Sequence, residues 1–220
     1  MSAPARRRLV GSADDLVRWT AGLFIVGSIC FALGSFPPFG QNVDPGTVGL
    51  VFFGGSLFFT AAAALQFVVE ARAERSRGGA AGPSFLRHGQ SWWASLVQLV
   101  GTVLFNVSTF DALLDGLSTE ETNRLVWAPD LFGSIAFLVA SWLGWRVVCP
   151  TLWCVRRDDT DWSMAAWNGV GSVLFMVSAV ASLTLPTTGE TLNLTLVNSG
   201  TFLGAVCFLA GAWLLLPVDE

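Results

Sequence analysis

The sequence predicts an all-α integral membrane protein in which six transmembrane helices form three repeated helical hairpins. Of the 220 residues, 53% are hydrophobic and 13% are charged, and the mean hydropathy is +0.59. This composition leaves too little polar surface for a soluble domain. The chain contains six apolar segments, and about 20 helical residues are needed to cross a bilayer. Each segment also carries one copy of the same pattern of glycine, phenylalanine and small residues.

The shared pattern is a glycine, a phenylalanine four residues later, and two small residues directly beyond. The glycines are Gly27, Gly55, Gly101, Gly133, Gly171 and Gly204, and the phenylalanines are Phe31, Phe59, Phe105, Phe137, Phe175 and Phe208. At about 100° per residue these positions fall on one narrow face of a helix. Because small residues let membrane helices approach closely, we expect this face to be the packing surface of each helix.

The first apolar segment, 19–36, follows Arg6, Arg7 and Arg8 and ends near Pro37, which resembles the layout of a secretory signal. Its copy of the pattern indicates instead a retained helix of the bundle. The other five apolar segments follow in order, at 47–69, 92–114, 129–148, 162–184 and 194–216.

The repeating unit is predicted to be a two-helix hairpin used three times, because a tryptophan opens the first helix of each pair, at Trp19, Trp93 and Trp162. We divide the chain into an N-terminal segment, three hairpin repeats and two loops: 1–18, 19–69, 70–91, 92–148, 149–161 and 162–216. Equivalent faces favour a bundle with pseudo-threefold symmetry. A flat or two-layer array is the alternative.

Arginine predicts the orientation, since the chain has no lysine and eleven of its twelve arginines lie on the side of the two termini. Only Arg124 falls on the other side. By the positive-inside rule both termini should be cytoplasmic.

Four runs resemble bacterial YrhK-like membrane proteins: GSLFFTAAAALQ from Gly55, GTVLFNVSTFDA from Gly101, PDLFGSIAFLVASW from Pro129 and WNGVGSVLF from Trp167. The resemblance covers nearly the whole chain as three hairpins, although Ala205 stands where the pattern has serine or threonine. It implies a helical-hairpin fold and a multi-pass protein of the bacterial cytoplasmic membrane. It implies no substrate, cofactor or catalytic residue.

Polar residues on the shared face are the candidate site. Gln66, Gln98 and Asn168 should form an amide cluster in the cytoplasmic half, and Asp130 and Thr201 should lie in the outer half. Polar groups at both ends with phenylalanines between them would suit a narrow permeation path with a hydrophobic constriction. There is an alternative for each group. The amides could serve to join neighbouring helices by hydrogen bonds, and Asp130, which follows Pro129, could serve to cap the start of a helix.

Asp111 lies off this face. Its position near the end of the third apolar segment, 92–114, predicts a place at the outer interface. Were it or Asp130 in the middle of the bilayer, the cost of the charge would favour a functional role. Asn106 lies on yet another side of the helix, and the sequence gives no account of it.

The sequence gives little support for a catalytic, metal or cofactor site. His88 is the single histidine, and Cys149, Cys154, Cys30 and Cys207 are expected to be reduced thiols. We therefore predict no catalytic residue, metal or cofactor, and no nucleic-acid binding. Membrane lipid is the expected partner, and a second copy of the chain or an unidentified membrane protein is a further candidate.

Two functions fit this sequence. The first is permeation of a small ion or compact solute along the shared face. The second is a nontransporting membrane module that binds or stabilises a partner protein, which would use exposed small-residue faces and the Gly200 and Gly204 pair.

Overall fold

The computed structural model describes residues 13–76, 88–149, 151 and 153–217, which are helical apart from short connections. The elements in order are α1 Ala13–Ser35, α2 Pro37–Asn42, α3 Pro45–Ser76, α4 Gln90–Asp111, α5 Thr119–Glu121, a π-helix Thr122–Trp127, α6 Ala128–Val148, α7 Thr160–Ala181 and α8 Leu194–Leu214. Within these described residues, six helical stretches are long and apolar enough to cross a membrane. The membrane class and the six helices predicted from the sequence are therefore supported.

Helix α3 is longer than its apolar segment. The sequence predicted a loop from residue 70, but the helix continues to Ser76. The run from Glu70 to Ser76 consists mainly of alanine, glutamate and arginine, which have high helix propensity and need no apolar surroundings. The predicted loop boundary at residue 70 is therefore too early.

The helix that contains α6 begins earlier than predicted. Ser118 and Glu121 form a reciprocal capping box, and the helical run continues from there through the π-helix into α6. Pro129 has no backbone N–H, and the wider π-turn before it, in which Ala128 donates to the carbonyl of Asn123, accommodates this loss. Asp130 consequently lies in the first turn of α6 but within a continuous helical run that begins after Ser118.

The six long helices form a closed ring. The most extensive packing is between α1 and α3, α4 and α6, and α7 and α8, which are consecutive antiparallel pairs. Each pair then contacts the next, through α3 with α4, α6 with α7, and α8 with α1. A flat array would leave α1 and α8 apart, so their contact excludes that alternative.

Within each pair the two glycines of the pattern face one another. A Cβ atom built on Gly101 would lie 2.8 Å from the Phe137 ring and 3.1 Å from the carbonyl oxygen of Gly133. A Cβ atom built on Gly133 would lie 3.0 Å from the Phe105 ring and 3.1 Å from the carbonyl oxygen of Gly101. The same exchange joins Gly27 with Phe59, Gly55 with Phe31, Gly171 with Phe208 and Gly204 with Phe175. Each phenylalanine thus fills the space left by the partner helix's glycine.

The six phenylalanines of the pattern are buried and meet on the axis of the ring. We call this cluster of Phe31, Phe59, Phe105, Phe137, Phe175 and Phe208 the aromatic plug. The rings of α3, α6 and α8 all contact one another, with centroids 5.6–6.4 Å apart. The rings within each helix pair lie 5.1–5.4 Å apart. Aromatic contacts at these spacings close the middle of the bundle.

Candidate functional site

A polar cavity of about 310 Å³ lies inside the ring, between the aromatic plug and the arginine-rich end of the bundle. It is bordered by residues of α1, α3, α4, α7 and α8. These residues are Phe24, Phe59, Gln66, Glu70, Gln98, Asp161, Met164, Asn168, Phe208, Gly211, Ala212 and Leu215.

The three predicted amides lie together in this cavity. Gln66 follows the plug phenylalanine of its helix by seven residues, and Gln98 and Asn168 precede theirs by seven. Because seven residues make about two helical turns, or about 10 Å, the antiparallel helices bring the amides to one level. Phe24 and Leu215 have the same offset and complete the layer.

The amide side chains are available to a ligand. In the described part of the chain, no hydrogen bond joins the side chains of Gln66, Gln98 or Asn168 to another group. All three are partly exposed, since they face the cavity. They do not act as interhelical links, which was the alternative left open by the sequence.

Two carboxylates also border the cavity, and sequence reasoning missed both. Glu70 lies one turn beyond Gln66 on α3, and Asp161 lies in the first turn of α7. Both fall in segments that the sequence assigned to loops, because their charge interrupts the apolar runs. The described lining contains no lysine, arginine or histidine.

The inner end of the cavity is aromatic. Phe59 and Phe208 belong to the aromatic plug, and Phe24 packs against Phe59 with ring centroids 5.5 Å apart. The Phe59 side chain also contacts the rings of Phe31 and Phe137. A polar cavity therefore ends directly on a layer of phenylalanines.

The residues predicted for the outer half do not border this cavity. Thr201 and Ser178 share a hydrogen bond of 2.7 Å between α8 and α7. The Ser182 hydroxyl donates to Asp130 at 3.4 Å, which is a long hydrogen bond between α7 and α6. Asp111 is the last residue of α4 and is partly exposed. Thr201 and Asp130 thus contact neighbouring helices at the end opposite to the cavity.

Hydrogen bonds at the contacts between helix pairs are a further feature that the sequence did not predict. Asn106 donates to Thr60 at 2.8 Å, and Ser56 and Thr109 share a hydrogen bond of 2.9 Å, both between α3 and α4. Ser141 and Ser172 share one of 2.8 Å between α6 and α7. The periodicity of the small face gave no signal for Asn106, because this residue lies on another side of α4.

Two buried hydroxyls, those of Ser28 and Ser134, have no hydrogen-bond partner in the described structure. Each directly follows a pattern glycine, as Ser56 and Ser172 do. The partners of Ser56 and Ser172 lie four residues after a plug phenylalanine. At the corresponding positions for Ser134 and Ser28 the chain has Ala179 and Ala212. The missing partners are explained by alanine at these two positions.

The prediction that all four cysteines are reduced is wrong for two of them. Cys149 and Cys154 form a disulfide with a Cα–Cα distance of 5.9 Å, and Cys30 and Cys207 are free. The two cysteines are five residues apart in sequence, and their Cα atoms lie within the usual bridging distance. Close by, the Trp162 indole donates to the carbonyl of Cys154 at 2.9 Å.

His88 lies at the same end of the bundle and is held by α3. Its Nδ1 atom lies 2.8 Å from a carboxylate oxygen of Glu74, and its ring stacks on Trp92 with centroids 4.1 Å apart. Among the described residues, no group of three or more histidine, cysteine, aspartate or glutamate side chains could hold a metal ion.

The chain matches no family model, no curated protein and no solved structure. The resemblance to YrhK-like proteins therefore stays a prediction.

Proposed function

We propose that the protein lets a small ion or compact polar solute permeate the membrane along the axis of the ring. In this proposal the cavity is the vestibule and the aromatic plug is the gate, closed in this structure. The proposal depends on one observation. Three amides that make no side-chain hydrogen bond among the described residues border, together with the carboxylates of Glu70 and Asp161, a cavity that ends on Phe59 and Phe208.

Each part of the site has a physical role in this proposal. Amide and carboxylate oxygens can replace some of the water around an entering solute. Beyond them, a layer of phenylalanines excludes water, and such a constriction opens only when its side chains move apart. The six plug phenylalanines are 2–6% exposed and pack against one another, so permeation requires the plug to rearrange.

We further propose that the three helix pairs are copies of one hairpin around a pseudo-threefold axis. The reciprocal glycine and phenylalanine contacts in all three pairs support this. By the positive-inside rule, the cavity then opens to the cytoplasm and both termini lie there. The YrhK-like resemblance supports a place in a bacterial cytoplasmic membrane.

The second candidate function, a nontransporting module that binds a partner through its small faces, has less support. Those faces are used inside the ring, where Gly204 receives the Phe175 ring and a Cβ atom on Gly200 would lie 2.8 Å from the carbonyl oxygen of Leu174. A partner would therefore have to bind the outer, lipid-facing surface.

The proposal can be tested by measuring flux of potassium, protons and glycerol in liposomes that contain the purified protein. We expect flux above that of empty vesicles, a decrease in the Gln98→Leu, Asn168→Leu double variant, and an increase in Phe59→Ala. Phe58→Ala is the matched control, because Phe58 is 39% exposed on the outside of α3 whereas Phe59 is 3% exposed in the plug. Folding of each variant is checked by size-exclusion chromatography and circular dichroism. Equal flux from folded Phe59→Ala, wild type and empty vesicles would contradict the proposal.

A further inference from the structure

We infer that the solute taken up by the cavity is a small monovalent organic cation of the ammonium class. This inference rests on the proposed function, since it names the solute that would occupy the vestibule. It depends on three properties of the cavity: its charge, its aromatic end and its size.

The charge of the described lining is negative. Glu70 and Asp161 contribute carboxylates, and the three amides can turn their carbonyl oxygens toward a bound cation. Glu70 also borders a neighbouring pocket that includes Arg146. The preference for a cation therefore depends mainly on Asp161 and the three amides. An anion would meet like charge from Asp161, which is exposed where it borders the cavity, and from Glu70.

The aromatic end distinguishes an organic cation from a hydrated metal ion. Phe24 and Phe59 are inclined by 71°, and Phe59 and Phe208 by 81°, so three steeply angled rings border one end of the cavity. Angled aromatic rings attract ammonium groups through cation–π interactions and also contact their methyl groups. Met164 adds a polarisable apolar surface to the lining. A metal ion would gain little from these groups, because it prefers oxygen ligands.

The size of the cavity limits the ligand. A volume of about 310 Å³ is at the lower end of the range for small-molecule sites. It suits a compact cation with a few methyl or methylene groups. It is too small for a peptide or a lipid.

The test uses three probes of nearly the same shape and different charge: tetramethylammonium, tert-butanol and pivalate. Binding to the purified full-length protein in detergent is measured by isothermal titration calorimetry. We expect tetramethylammonium to bind more tightly than tert-butanol, and pivalate to bind least. We expect Asp161→Asn to weaken tetramethylammonium binding about threefold to tenfold, and Gln98→Leu to weaken it as well. Asp158→Asn is the control, because Asp158 is an exposed acid three residues before Asp161, in the connection that precedes α7, and does not border the cavity.

Three results would overturn the inference: no binding of tetramethylammonium to folded protein, pivalate binding as tight as that of tetramethylammonium, or binding that Asp161→Asn and Gln98→Leu both leave unchanged. The liposome measurements separate this failure from failure of the proposed function. Flux of potassium or glycerol that depends on Gln98 and Asn168, without tetramethylammonium binding, would reject the organic cation and keep permeation. Tetramethylammonium binding without flux of any solute, tetramethylammonium included, would keep the site and reject permeation.

Discussion

Asn106 donates a hydrogen bond of 2.8 Å to the hydroxyl of Thr60, and this bond joins α4 to α3. The two residues belong to different helix pairs, so the bond contributes to closing the ring. The side-chain amide oxygen of Asn106 is buried and has no partner in the described structure.

Replacing Asn106 with leucine should therefore weaken the contact between α3 and α4 only moderately. Interhelical hydrogen bonds in membranes contribute about 0.6 kcal/mol on average, and removing the unpaired oxygen offsets part of that loss. We expect a small decrease in the thermal unfolding midpoint of the purified protein in detergent. Val107→Leu, at a neighbouring exposed position, is the control. A decrease no larger than that of the control would show that the bond does not stabilise the ring.

Ser56 and Ser134 occupy equivalent positions but differ in hydrogen bonding. Ser56 contacts Thr109, whereas Ser134 has no partner among the described residues. Ser56→Ala should lower the unfolding midpoint, and Ser134→Ala should leave it unchanged or raise it, because a buried unpaired hydroxyl is destabilising. Ala179→Ser should in turn stabilise the protein by about 0.6 kcal/mol by giving Ser134 a partner. Equal effects of the two alanine substitutions would contradict this account of the hydroxyls.

Gly133 and Gly144 provide a comparison within one helix. A Cβ atom on Gly133 would lie 3.0 Å from Phe105, whereas one on Gly144 would have no atom within 4 Å. Gly133→Ala should destabilise the protein by about 1–3 kcal/mol through overpacking. Gly144→Ala should be neutral or slightly stabilising, because alanine favours helix more than glycine does. Thermal unfolding of both variants measures the difference, and equal midpoints would mean that helix pairs do not depend on close glycine contact.

The Cys149–Cys154 disulfide can be tested by counting thiols. Denatured, unreduced protein should take up two iodoacetamide groups, on Cys30 and Cys207, and reduced protein should take up four. Intact-mass spectrometry measures the number directly. Four groups without reductant would show that the pair is reduced, as the sequence had predicted.

The six helices could be predicted from the sequence because apolar runs of sufficient length have few alternatives. The repeated glycine and phenylalanine pattern also indicated a shared face, and the offset of seven residues from the plug explains why Gln66, Gln98 and Asn168 meet. Helix direction and periodicity were enough to place these three residues.

The two carboxylates of the cavity and several contacts of the fold could not be predicted from hydropathy. Glu70 and Asp161 lie on helical turns beyond the apolar runs, so their charge made them appear to belong to loops. The π-turn before Pro129 depends on backbone hydrogen bonding, and the pairing of Asn106 with Thr60 depends on which helix pairs become neighbours. Such contacts follow from the closure of the ring.

In the proposed function the cavity is open to water from the arginine-rich side and closed at the aromatic plug. The most direct test is sided labelling of single cysteines in an otherwise cysteine-free, full-length protein reconstituted in oriented vesicles. We expect a charged, membrane-impermeant thiol reagent to label Gln98→Cys and Asn168→Cys from the arginine-rich side only, and not to label Ser134→Cys, beside the plug, from either side. Labelling of Asn168→Cys from the opposite side, or of neither amide position from either side, would contradict the account.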